Sequence, residues 1–140
     1  MIKPLNILLL AALILMFGVP ANAQVVVANK IPLQNTITPE TLRAIFGMRI
    51  HVWSDGTPIS VFVLNTNNEA HIEFCKEKLK VFPYQLQRTW NRLVFSGTGQ
   101  APIQVNSIAE MKAKITSIPG AIGYLPDSEI DETIQQLDVR

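Results

Sequence analysis

One cysteine and two histidines are all that the 140 residues offer in the way of soft metal ligands and thiol chemistry. A lone Cys75 excludes an intrachain disulfide framework, so an exported domain of this size must draw its stability from a buried core. His51 and His71, without cysteines or carboxylates at ligand spacing, make no zinc site. Charge of one sign is scarce too, since 12 Lys and Arg oppose 11 Asp and Glu. That near balance argues against polyanion binding as a general task and leaves no nucleic-acid partner expected, because nucleic-acid binders carry a clear basic excess. No G-x-S-x-G elbow, Ser/His/Asp order, paired carboxylates or Gly-Lys-Ser/Thr loop occurs, so neither enzymatic activity nor a bound cofactor is expected. The length leaves room for one domain.

Apolar runs of any length are confined to the N-terminus. Lys3 supplies a positive start, Leu5 to Phe17 is apolar apart from Asn6, and Gly18-Val19-Pro20 precedes Ala21-Asn22-Ala23, an A-x-A cleavage pattern. Residues 1–23 therefore read as a secretory signal peptide, cleaved after Ala23, and residues 24–140 as the acting domain in the periplasm. About 13 apolar residues fall short of the roughly 20 needed by a spanning helix, so no membrane span is expected after cleavage. No lipobox cysteine follows. Without Lys3 the remainder is neutral, but unevenly so. From Asp127 onward five acids face only Arg140, whereas residues 24–126 hold ten Lys and Arg against six Asp and Glu. A modest anion preference in the body follows.

Local patterns alternate between strands and helices. Val25-Val26-Val27-Ala28 suits a strand buried on both faces. After a polar link over 29–37, Thr38-Pro39-Glu40 gives an N-cap, a first-turn proline and an acid, with Leu42, Ile45 and Phe46 as the inner face. Trp53 to Pro58 is a turn in which Asp55 and Gly56 supply the turn chemistry. Ile59 to Leu64 reads as a second buried strand. Glu69 to Lys80 reads as a helix, with Ile72, Phe74, Cys75 and Leu79 apolar, and a further helix runs from Pro83 to about Phe95. Ile103 to Val105 is a short extended piece. Ser107-x-x-Glu110 is a capping box opening a helix through Ser117. Ala121 to Leu125 is a third strand, and Thr133 to Val139 a last one. The pattern points to a three-layer α/β domain. Trp53 and Trp90 read as packing residues, and Cys75 as a buried thiol in preference to half of a Cys/His dyad.

Leu42-x-x-Ile45-Phe46-Gly47, Trp53-x-Asp55-Gly56-x-Pro58-Ile59, Phe74, Trp90-x-x-Leu93-x-Phe95-x-Gly97-x-Gly99 and Pro119-Gly120-Ala121-Ile122-Gly123-Tyr124 follow one another in order. This set resembles the phosphate-type periplasmic substrate-binding proteins, and more closely their short, single-lobe relatives. The resemblance implies one lobe of a type 2 periplasmic binding protein, with a central mixed sheet flanked by helices. It also implies phosphate or another small anion as ligand, and an ABC permease, a sensor or another envelope protein as partner.

In such proteins an anion is held by hydroxyls and by backbone N–H groups at helix N-termini, where unpaired donors and the helix dipole favour negative charge. The resemblance assigns that place to Asn65, Thr66, Asn67 and Asn68. Asn67-Asn68 stand where relatives carry a Gly-Ser pair, and His71 where many carry an arginine, in a loop about two residues shorter. A neutral histidine near pH 7 lacks the charged fork of an arginine, so the anion site reads as degenerate. Ser96-Gly97-Thr98 is a second candidate, either a backbone nest for an anion or a plain helix-to-strand connection. Tyr124 faces either the cleft or the core. A lobe that has kept the fold, lost its ligand and binds a protein partner is the alternative reading.

Overall fold

The computed structural model describes residues 23–29 and 35–140. The proposed signal peptide, apart from Ala23, therefore lies outside the described residues, as does the middle of the 29–37 link. Among the described residues no helix is long and apolar enough to cross a membrane.

A five-stranded mixed sheet organises the chain. It contains β1 (Gln24–Ala28), β3 (Ser60–Val63), β4 (Ile103–Gln104), β5 (Ala121–Pro126) and β6 (Gln135–Gln136), in the order β4-β3-β5-β1-β6. β3 runs parallel to both β4 and β5, while β1 is antiparallel to β5 and β6. The β-branched run of β1 sits between two strands, with Val26, Val27 and Ala28 buried. A separate pair is formed by β2 (Thr36–Ile37) and β7 (Asp138–Val139).

Helix boundaries follow from local chemistry. In α1 (Pro39–Phe46) the Thr38 hydroxyl accepts a hydrogen bond from Thr41 N–H, and Leu42, Ile45 and Phe46 are buried. α2 (Glu69–Phe74) continues without a break into a π turn, Cys75–Leu79, that ends at Lys80 in the left-handed region (φ 56°). α3 (Pro83–Ser96) starts where the Gln85 side chain accepts from Phe82 N–H. At α4 (Ile108–Ser117) Ser107 Oγ accepts from Glu110 N–H as expected, but the Glu110 carboxylate reaches Asn106 N–H, one residue before the cap.

The alternation of β5 shows the layering. A Cβ on Gly123 would lie 2.6 Å from Met111 Sδ of α4. The next residue, Tyr124, stacks on Phe74 of α2 with ring centroids 4.0 Å apart. Successive residues of a strand point to opposite faces, so α2 and α4 cover opposite sides of the sheet. α1 joins the α2 layer, where Phe46 packs 4.8 Å from Phe74. Both tryptophans are buried and hydrogen-bonded: Trp53 Nε1 donates to Gly120 O and Trp90 Nε1 to Phe46 O.

Two expectations are corrected. The helix predicted over Glu69–Lys80 widens into the π turn at Cys75, and its left-handed exit at Lys80 lets Val81 N–H return to Cys75 O. The last strand predicted over Thr133–Val139 is divided. Buried Leu137 donates its N–H to Val26 O, whereas Asp138 N–H turns to Asn35 O and the chain changes sheets.

Candidate functional site

Because β3, β4 and β5 are parallel, their C-terminal ends meet along one edge of the sheet. Helix α2 starts there after β3 and α4 after β4, so two helix N-termini stand at this edge. The loop Asn65–Asn68 lies at this edge. Asn65 Oδ1 accepts from Asn67 N–H at 2.9 Å, and Asn68 Oδ1 accepts from Ala70 N–H at 2.9 Å. Thr66 Oγ1 donates to Gln87 Oε1 of α3. Asn68 thus caps the helix and Asn65 closes the turn before it, so both engage amide donors that an anion would need.

Carboxylates also collect at this edge. Glu69 and Glu110 stand in the first turns of α2 and α4, and Asp127 and Glu129 follow β5. Lys112 of α4 is committed to acids, since its Nζ lies 2.8 Å from Asp131 and 3.9 Å from Glu129. The hydrogen bond to Asp131 raises the lysine pKa, and the same contact, with Thr133, lowers Asp131 to about 2. First-turn acids complement the helix dipole and occupy the field that would attract a phosphate.

His71 and Tyr124 meet beneath the loop. His71 is 1% exposed and Tyr124 0%. Tyr124 Oη accepts from Leu64 N–H at 2.8 Å and lies 2.6 Å from His71 Nδ1. With one lone pair committed to Leu64, the phenol proton is assigned to Nδ1, which leaves Nε2–H facing Cys75 Sγ at 3.5 Å. Burial lowers the imidazole pKa to about 4 and pushes the Cys75 thiol up to about 12. Sulfur and imidazole are adjacent, but the thiol stays protonated and the imidazole neutral, so the pair has no thiolate nucleophile. The cluster anchors the base of the Asn65–Asn68 loop. Tyr124→Phe, which removes both bonds, is expected to cost about 2 kcal/mol in urea unfolding.

Ser96, Gly97 and Thr98 belong to the C-terminal cap of α3. Gly97 takes φ 69°, the N–H groups of Thr98 and Gly99 both donate to Leu93 O, and Ser96 Oγ donates to Arg92 O. These amides are used by the cap and form no open nest. α3 touches the Asn65–Asn68 loop at Gln87, and Ser96 lies nine residues, about 13 Å, further along the helix. The structure therefore joins His71 and Tyr124 under Asn65–Asn68 and leaves Ser96–Thr98 apart. Gln87 is an addition that sequence reading missed, for want of any local signal marking it as a partner of Thr66, and Glu110, legible only as part of a capping box, joins the same edge. Among the described residues no set of three His, Cys, Asp or Glu side chains converges as a metal-ligand group.

No model of a known protein family matches the chain, and no curated protein matches it in sequence. In three dimensions it is similar to an ABC-type phosphate transport receptor from Vibrio cholerae, with TM-score 0.64 and 16% identity over 84% of this chain and 46% of the receptor. It is equally similar to PstS from Borrelia burgdorferi, with TM-score 0.62 and 18% identity over 84% of this chain and 47% of PstS. The chain spans just under half the length of each. Its fold is that of one lobe of the phosphate ABC transporter substrate-binding proteins.

Proposed function

We propose that the protein is an exported binding module of the phosphate-receptor kind, accessory to ABC transport, whose anion site at the strand ends is degenerate and takes a small anion weakly. It is not an enzyme. The observation that carries the reading is the pair of asparagine side chains, Asn65 and Asn68, that accept the N–H groups of Asn67 and of Ala70 in the first turn of α2, where the resemblance would seat an anion. The described residues supply one wall of such a cleft, so the reading calls for an opposing surface, such as a permease, a sensor, a second copy or a second lobe.

Calorimetry of the full chain with phosphate is expected to show no binding tighter than a Kd of about 10 μM. A tighter Kd would restore an ordinary uptake role and sink the degenerate-site reading. The carboxylates at the same edge favour a second reading, in which this surface recognises a protein partner. Cross-linking in periplasm that yields only monomer would count against it.

A further inference from the structure

We infer that the protein holds a second small-molecule site, for an organic carboxylate with an apolar body, in the hollow between the end of α1, the π turn and α3. The hollow has a volume of about 220 Å³, and its lining includes Arg43, Arg49 and Thr89 around Leu79, Val81 and Leu86. It lies well away from the strand-end loop: α2 starts after Asn68, and the π turn reaches Leu79 eleven residues later, about 16 Å along the helix.

Three features single out this place. The first is backbone conformation. Among the described residues only two non-glycines have positive φ, Met48 (61°) and Lys80 (56°), and each immediately precedes a lining residue, Arg49 or Val81. Left-handed residues with a Cβ are unfavourable and persist where the surroundings hold them, often at binding sites, as do π turns inserted in helices.

The second feature is charge. Arg43 has a single long ion pair, 3.5 Å to Glu40, and among the described residues Arg49, Lys76 and Lys80 are in none. Lys76 and Lys80 line a more open hollow that shares Val81. The carbonyls ending α1, which would repel an anion, are already taken: Arg43 O by Gly47 N–H, Ala44 O by Arg49 N–H and Phe46 O by Trp90 Nε1.

The third is the match of chemistry to shape. Guanidinium groups bind planar carboxylates through paired N–H donors. The floor is apolar, with Leu79 fully buried and Leu86 8% exposed, and it would leave a bare phosphate half desolvated without compensation. The volume suits a single ring or a short chain, below the roughly 300–1,000 Å³ of sites for drug-sized ligands. A ring or short chain carrying one carboxylate satisfies both walls.

The test is an amide-resolved NMR titration of the full chain with benzoate, benzyl alcohol and inorganic phosphate, each to about 10 mM. Benzoate is expected to shift the Arg49, Val81 and Thr89 amides saturably, with a Kd of about 1 mM or tighter. Benzyl alcohol should bind at least about tenfold more weakly, and Arg49→Gln, at an exposed position, should weaken benzoate by a similar factor. Phosphate should leave those three amides unmoved, and any response at Asn67 to Ala70 reports on the strand-end loop instead. Absence of saturable benzoate shifts, an equal response to the alcohol, or unchanged affinity in Arg49→Gln would each overturn the site.

Discussion

His71→Arg is expected to unfold the protein or to cost about 3–5 kcal/mol, and to bring no gain in phosphate affinity. The arginine implied by the resemblance makes this the obvious repair of a degenerate site, but position 71 is 1% exposed here and faces the Tyr124 and Trp90 rings and the Cys75 thiol. Among the described residues no carboxylate is bonded to it, so a guanidinium would be an uncompensated buried charge. The same logic sets the pH dependence of the native protein. In the unfolded chain His71 binds a proton near 6.5, whereas burial holds the folded value at about 4. The unfolded state then carries more protons between these limits, so this contribution is complete above 6.5 and is lost as pH falls towards 4, a loss of about 3 kcal/mol. Protonation would also place a proton on Nδ1, where the Tyr124 hydroxyl already donates. Urea midpoints measured from pH 7.5 to 4 should fall for the native sequence, and the part due to His71 should vanish in His71→Gln. A native curve flat across 6.5 to 4 would show that the imidazole is not held neutral by its surroundings.

That histidine also marks where sequence reading stops. The stripe of His71, Phe74, Cys75 and Leu79 has helical spacing and is visible in the sequence, but a titratable group on it reads equally as a ligand or as a satisfied core residue. What decides is Tyr124, 53 residues away, whose own partner is Leu64 N–H. The caps at Thr38 and Ser107 are legible because both partners lie within three residues. The strand over Thr133–Val139 is not, since its division at Leu137 depends on pairing with β1 and β2, about a hundred residues earlier. The π turn carries no proline or glycine signal, and Lys80 takes a left-handed conformation that its residue type disfavours. The Arg43–Arg49 hollow is invisible for the same reason: Thr89 and Leu86 reach it only through the packing of α3. Five ordered motifs sufficed to indicate the lobe, while the chemistry of its surface depends on contacts between residues far apart in the chain.

Gly120→Ala is expected to destabilise the fold by about 4 kcal/mol or more, among the largest effects of any single methyl in this chain. Its φ of 79° disfavours any residue with a Cβ, which by itself costs about 1–2 kcal/mol. An added Cβ would also stand 2.1 Å from Pro58 O and 3.0 Å from Thr57 Cγ2. Backbone, unlike a flexible side chain, cannot yield cheaply. Moving either strand would break the bonds that Gly120 O accepts from Trp53 Nε1 at 3.0 Å and Ser60 N–H at 3.2 Å, and those join the 53–58 turn to the start of β3 and β5. Gly56 provides the control, since its φ is 89° but a Cβ there would meet nothing within 4 Å. Gly56→Ala should therefore lose only the conformational part, about 1 kcal/mol. Gly123→Ala should fall between the two, because the contact at 2.6 Å is Met111 Sδ, which can change rotamer. Urea unfolding of the three variants with an unchanged m-value should give that order. Equal losses for Gly56 and Gly120 would mean that the clash is relieved by the turn, and that Trp53 does not fix the position of Gly120.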